Sequence, residues 1–216
     1  MSVSNSKTDI VNLSLDILKT ENINDVEIPA GDKSAVVFNR WYDDIRQTCL
    51  EAFPWNFATT RKAIPLNATD PAFGFDDAYV LPVNYLSLSF IKYWDLPLSQ
   101  WNYVIEDANL YIDNGAADSL EIGYVQNITE VVKFSPSFKI YFAHALAEAV
   151  AFKLTGNINL VTRLTTARQK AELSAKAKNG KVNPPVAFRQ SRMLNARRVH
   201  GGTSTSGLYA RRNGRA

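Results

Sequence analysis

The sequence predicts a mainly α-helical domain with an inserted β unit, a helical bundle in the order α-α-β-α-α, followed by an extended C-terminal arm. Apolar residues recur at amphipathic-helix spacing near both ends of residues 1–179. Between about residues 55 and 132, short apolar runs alternate with turn residues, which indicates strands. Residues 180–216 hold too few apolar side chains to offset the entropy of folding alone, which predicts an arm that orders only on a partner.

The predicted helices have recognisable ends. The first covers residues 7–20, with Ser6 or Thr8 as its cap. The second follows Asp32 as N-cap and stops before Pro54. The third begins at Ser137 and ends at Gly156, and the fourth begins after Asn157 and runs to about Lys178.

The β-rich insertion consists of short runs typical of antiparallel strands, with a tight-turn signal at Asp113-Asn114-Gly115. The predicted strands cover residues 57–64, 79–82 leading into 85–93, 103–106, 110–112 and 120–125. The predicted domains are therefore a helical-bundle domain at 1–179, with its β-rich insertion at about 55–132, and a basic arm at 180–216 that contains Pro, Gly and Ser.

Charge separates the two predicted domains. The chain has 24 Lys and Arg against 21 Asp and Glu, and eight of the cations but none of the acids lie in residues 180–216. Residues 1–179 therefore hold 16 cations against 21 acids, a formal charge of −5, while the arm carries +8. A basic arm on a slightly acidic body indicates an acidic partner, either nucleic acid or an acidic protein surface.

The bulk properties favour a soluble chain that is intracellular, or packaged into a particle assembled there. The single cysteine, Cys49, allows no intrachain disulfide. The start of the chain lacks signal-peptide features, and no run approaches the ~20 apolar residues of a membrane span, so we expect no membrane contact.

The candidate chemistry is sparse. His144 and Glu148 are neighbours at i, i+4 on the third predicted helix, but further metal ligands are missing, so a local polar contact is the better interpretation. Cys49 lies on the apolar stripe of the second helix and reads as a buried small residue. The adjacent acids Asp43-Asp44, Asp76-Asp77 and Glu106-Asp107 read as solvated surface.

No Gly-rich phosphate loop, GxSxG nucleophile motif or zinc-type Cys/His spacing is present. We therefore expect no enzyme and no catalytic, cofactor-binding or metal-binding residue. The aromatic run Phe53-Pro54-Trp55-Asn56-Phe57 could stack nucleobases, but it lacks an interleaved cation before Arg61-Lys62. Core packing at a helix-to-strand junction is the better interpretation.

The order and spacing of several motifs resemble the tail tubular protein A family of short-tailed bacteriophages, the head-to-tail connector or adaptor proteins. The resemblance covers roughly residues 8–178. Its most specific part is Pro54-Trp55-Asn56-Phe57-Ala58, followed by Tyr79-Val80-Leu81-Pro82. The similarity continues through Ile122-Gly123-Tyr124-Val125 and the third predicted helix. Pro54, Trp55, Asn56, Phe57, Tyr79, Leu81 and Pro82 form the family-like core motif.

The resemblance implies a structural protein at the head-tail junction of the virion, assembled in the host bacterial cytoplasm. Family members form a homo-oligomeric ring, generally of twelve subunits, beneath the portal protein. A tail nozzle of the tail tubular protein B type docks on that ring. Genomic DNA passes through the channel without sequence-specific binding. A slightly acidic body suits such a wall, because phosphates would not adhere to it.

The arm departs from what the resemblance covers, and its role is assigned by analogy alone. We expect it to dock on the portal through Phe188, Arg189, Arg192, Arg197, Arg198, Tyr209, Arg211, Arg212 and Arg215. The alternative is a nucleic-acid-binding protein whose basic arm grips phosphates. A third interpretation, a carboxylate hydrolase acting on cell wall, requires two acids brought together in a cleft.

Overall fold

The computed structural model describes residues 6–27, 32–69, 71–92, 102–113 and 118–182, and within them four α-helices flank six β-strands. Helices α1 (Lys7–Leu18) and α2 (Lys33–Glu51) precede the strands. Helices α3 (Pro136–Thr155) and α4 (Ile158–Val182) follow them. Helix α4 thus continues beyond Lys178, the end that the sequence predicts.

Local capping sets the helix boundaries, as the sequence predicts. Ser6 and Asp9 form a reciprocal capping box at the start of α1. The Asp32 carboxylate accepts a hydrogen bond from the N–H of Ser34 at the start of α2. Gly156 ends α3 in the left-handed conformation, at φ 64°, which glycine adopts without strain. These contacts confirm the predicted caps at Ser6, Asp32 and Gly156.

The strands form two antiparallel sheets of three strands each. The first has the order β1-β6-β3 and the second the order β2-β5-β4. A two-residue turn at Asp107 and Ala108, both at positive φ, closes the β4–β5 hairpin. Of the predicted Asp113-Asn114-Gly115 turn, the last two residues lie outside the described part of the chain. The strands are β1 Thr59–Pro65, β2 Asp77–Val80, β3 Tyr85–Ile91, β4 Tyr103–Glu106, β5 Asn109–Ile112 and β6 Ser119–Gln126.

The prediction of a mainly α fold, a helical bundle carrying a β insertion, is wrong. About half of the described residues are helical and 22% lie in strands, so the fold class is α+β. The physical reason is that the two sheets bury an apolar core of their own, which includes Ile64, Tyr79, Leu110 and Ile122. Short strand runs in the sequence reveal their positions, but they do not reveal that the strands enclose a second core.

Helix α3 occupies the centre of the helical layer and contacts α1, α2 and α4. Ten of its twenty residues are buried, and its apolar residues are distributed around the helix rather than confined to one stripe, as expected for a helix enclosed on several sides. Helix α4 packs on α3 but buries only Leu164 and Ala175 along its length. One helix is therefore enclosed by the bundle, while its neighbour leaves most of its surface to solvent.

A buried arginine connects the helical layer to the first sheet. Arg46 of α2 donates hydrogen bonds to the side-chain Oδ1 of Asn127, at 2.6 Å, and to the carbonyl of Ile128, at 2.5 Å. Both acceptors lie just after β6. The Asn127 N–H in turn donates to the Asn84 carbonyl just before β3. These contacts hold the end of β6 against α2.

Candidate functional site

The family-like residues 54–57 lie at the junction between α2 and β1. Trp55 is completely buried, and its Nε1–H donates to the carbonyl of Cys49 at 2.9 Å. Its ring lies 5.1 Å from that of Phe138 and 5.2 Å from that of Phe53, both in edge-to-face geometry. The prediction that this aromatic run packs in the core is confirmed, since no face of Trp55 is open to a base.

Asn56, beside Trp55, contacts the C-terminal end of helix α4. Its backbone N–H donates to Oδ1 of Asn179, and its Nδ2 donates to the Asn179 carbonyl, each at 3.0 Å. Asn179 lies in the last turn of α4, three residues before the helix ends at Val182. Asn56 therefore holds the end of α4, the helix that leads into the basic C-terminal segment.

The second half of the family-like motif lies elsewhere. Tyr79 is completely buried and Leu81 nearly so, both in the core between the two sheets. The Leu81 N–H donates to the Ala108 carbonyl, and the Pro82 carbonyl accepts from the N–H of Tyr85, which starts β3. The structure thus does not bring the two halves of the motif together, and each organises a different core.

The outer face of the β1-β6-β3 sheet carries an arrangement that sequence reasoning missed. Arg61 of β1 and Phe90 of β3 flank Gly123 of the central strand β6. The Phe90 ring lies across Gly123, where an added Cβ would overlap it, and the Arg61 guanidinium lies 5.3 Å from the ring centre. A glycine inside the predicted strand 120–125 was the available signal, because such a glycine often marks a close approach.

A shallow pocket of about 300 Å³ joins this sheet face to the motif. Its walls place amide, hydroxyl and guanidinium groups beside one aromatic ring, and the Asn56 amide and the Thr59 hydroxyl already donate to the carbonyls of Asn179 and Trp55. The lining residues are Pro54, Asn56, Thr59, Arg61, Ser89 and Phe90. A neighbouring pocket of about 390 Å³ includes the ion pair between Lys92 and Glu121.

The three residues considered for metal binding or nucleophilic chemistry, Cys49, His144 and Glu148, are wholly or partly buried in the helical layer. Both carboxylate oxygens of Glu148 accept hydrogen bonds, from the Thr165 hydroxyl and from Nε of Arg168. Burial lowers the pKa of His144, and its buried Nδ1 has no hydrogen-bond partner in the described part of the chain. Burial also raises the pKa of the Cys49 thiol to about 12, which opposes formation of a nucleophilic thiolate.

The acid pairs show no shared cleft. Asp43 pairs with Arg46 on α2, the Asp76 N–H donates to the Asp113 side chain, and Asp107 forms the β4–β5 turn. Among the described residues, no group of three or more His, Cys, Asp or Glu is arranged to hold a metal ion. No helix in this part of the chain has both the length and the apolar character of a membrane span.

The portal-docking residues that the sequence suggests fall outside the described residues, which end at Val182. They are Phe188, Arg189, Arg192, Arg197, Arg198, Tyr209, Arg211, Arg212 and Arg215. What the structure does place is the last segment before them, the end of α4 at Asn56.

No protein-family model matches the chain, and no curated protein is significantly similar to it. The resemblance to the tail tubular proteins therefore depends on the motif residues themselves, and the function that it implies is a proposal.

Proposed function

We propose that this protein is a bacteriophage head-to-tail connector, a ring subunit that joins the portal to the tail nozzle and extends the DNA channel. It acts at the head-tail junction of the virion, after assembly in the host cytoplasm. The ring is expected to contain twelve subunits, by family resemblance. Its role is structural, and DNA passes through without sequence-specific binding.

One observation carries the proposal further than the resemblance alone. Asn56, in the most specific part of the motif, holds Asn179 through two hydrogen bonds. The end of α4 is thereby fixed to the body three residues before the helix ends at Val182. A connector that docks through the basic C-terminal segment needs such a fixed starting point, because its arms must leave each subunit in the same place.

Docking through a ring of arms has a physical advantage. Each arm carries several arginines, which bind carboxylates in bidentate geometry. A single arm gives weak attachment, whereas contacts linked through one ring raise overall affinity by ~10²–10⁴-fold. Arms that order only on the portal would also delay stable ring formation until a portal is present.

The test is electron microscopy of the purified protein mixed with the portal protein of the same genome, at physiological salt. We expect a ring stacked on one end of the portal. A protein that persists as a free monomer beside the portal contradicts the proposal and favours the alternative, a nucleic-acid-binding protein that uses the basic arm.

The arm is tested in the full chain and in a truncated chain. Deletion of residues 183–216 keeps the whole of α4, and circular dichroism verifies that the body remains folded. We expect the truncated protein to lose portal loading, as should a full-length variant with Gln in place of the seven arm arginines. The matched variant with Lys at the same seven positions retains the charge and should load at least in part. Normal loading by the truncated protein would overturn the docking role of the arm.

A further inference from the structure

The six cations of helix α4 are sorted onto two faces. Arg168 pairs with Glu148 of α3 and with Glu172, and Lys176 pairs with Glu172 and lies over the Phe53 ring. Four others are exposed and form no ion pair with any described residue. These four residues, the α4 stripe, are Arg163, Lys170, Lys178 and Lys181.

The stripe is continuous along the helix. Its members follow at intervals of seven, eight and three residues, which at 100° per residue keeps them within about 80° of the circumference. From Arg163 to Lys181 the stripe spans about 27 Å at 1.5 Å per residue. The exposed Ser174 lies within the same sector of the helix, so its hydroxyl adds a polar group between Lys170 and Lys178.

Helix stability does not account for this arrangement. An exposed helix normally intersperses glutamates with its lysines at i, i+4, which stabilises it. In residues 149–216 the only acid is Glu172, and that side chain is bound by Arg168 and Lys176. The helix dipole favours Lys178 and Lys181 near the C-terminus, but it gives no reason for Arg163 and Lys170.

We infer that the α4 stripe binds the phosphate backbone of duplex DNA. A line of isolated cations with a hydroxyl among them is the composition that contacts phosphate oxygens without reading sequence. An acidic protein surface is a poorer match, since lysine is depleted at protein interfaces and aromatic residues anchor them. Helix α4 has no aromatic residue between Ile158 and Val182.

This inference does not rest on the connector role, because the stripe belongs to the folded body. The formal charge of −5 for residues 1–179 conceals the three stripe residues in that range, because every acid of the body except Glu172 precedes α4. Contacts with phosphates alone let a protein slide along DNA. The stripe is therefore also compatible with a duplex that moves past the protein.

The experiment measures binding of the full-length protein to a 30-base-pair duplex by fluorescence anisotropy, between about 50 and 200 mM NaCl. The stripe variant is R163Q/K170Q/K178Q/K181Q. The matched control, K19Q/K33Q/R40Q/K153Q, removes the same charge from exposed positions on other faces. Both variants keep residues 182–216 with their seven arginines, so the contribution of those arginines cancels in the comparison, and circular dichroism verifies the fold of each.

The native log–log salt slope should exceed that of the stripe variant by about 3.6 in magnitude, from four phosphate contacts at about 0.9 each. Over this fourfold range of salt, the stripe then accounts for about 150-fold of the loss in affinity. The control variant should keep the native slope. Equal slopes for the native protein and the stripe variant, or equal losses in both variants, would overturn the inference.

A parallel titration with poly-L-glutamate separates the two classes of partner. We expect the stripe and control variants to bind this polyanion alike. A stripe variant that keeps its affinity for DNA but loses affinity for poly-L-glutamate would overturn the inference in favour of an acidic protein.

Discussion

At the scale of single residues, the fold depends on a few side chains whose surroundings explain their identity. Trp55 combines complete burial with a hydrogen bond from its indole to the Cys49 carbonyl. Cys49 is itself buried and free of any disulfide. The sequence predicts both as core residues, Cys49 because it lies on the apolar stripe of its helix and Trp55 because its aromatic run lacks an interleaved cation.

Gly123 and Phe90 form a pair that a substitution can test. In Gly123→Ala, the new methyl group would overlap the Phe90 ring and displace it from Arg61. We expect the free energy of unfolding to fall by about 1–3 kcal/mol, as in other overpacked sites. Urea denaturation monitored by circular dichroism measures the change.

The control is a double-mutant cycle with Phe90→Ala. Removal of the ring also removes the overlap, so the double variant should be more stable than the sum of the two single effects predicts. Strictly additive effects would show that Phe90 does not limit the space at Gly123.

We expect the free energy of unfolding to depend on pH through His144. Because burial lowers its folded-state pKa, the neutral ring is favoured in the folded protein, whereas the unfolded chain takes up a proton near pH 6.5. The contribution of neutral His144 to the free energy of unfolding is therefore present above about pH 6.5. It is lost as the pH falls towards the lower folded-state pKa. Unfolding by urea at pH 7.5 and pH 5.5 should show lower stability at the lower pH.

The variant His144→Gln isolates this effect, since glutamine does not titrate. Its unfolding free energy should change less between the two pH values than that of the native protein. An identical change in the two proteins would assign the pH dependence to other groups.

At the scale of elements, the end of α4 is held by a contact with the start of the β region. Asn56 and Asn179 are 123 residues apart in the chain and share two hydrogen bonds. Helix ends fray unless they are held, and this one precedes the basic segment. The order of the last turn of α4 is therefore expected to depend on this pair.

Asn179→Ala tests that dependence. It removes the acceptor of the Asn56 N–H, at a cost of about 1–2 kcal/mol for one part-buried hydrogen bond. Amide hydrogen exchange should accelerate over residues 176–182 and remain unchanged in α3. The matched variant Gln169→Ala changes an exposed position of the same helix and should leave the exchange rates at the helix end as they are.

The comparison of predicted and observed elements shows which features of the fold the sequence can predict. The predicted strand 103–106 coincides with β4, and the ends of α1 and α2 lie within two residues of their predicted positions. These features depend on periodicity and on caps only a few residues away. The pairing of β1 with β6, and the enclosure of a second core by two sheets, depend on residues far apart in the chain. This is why the predicted fold class failed while most of its elements were placed correctly.

At the scale of the whole molecule, charge distribution connects the two proposals. The sequence shows an acidic body and a basic arm, and the connector proposal uses that contrast. The structure adds that the basic character begins earlier, on the outer face of α4. If the stripe contacts DNA and the arm docks on the portal, two adjoining basic segments of one chain serve different acidic partners.

Local sequence patterns are sufficient to predict the helices and their caps, the positions of the strands, the burial of Trp55 and the basic composition of the C-terminal segment. Each of these follows from local periodicity, local hydrogen bonding or a simple count of charges. The three-dimensional fold sets how the strands pair, which ring covers Gly123, what holds the end of α4 and which of its cations face solvent. Those features arise from contacts between distant residues, and no local pattern along the chain specifies which distant partner a residue will meet.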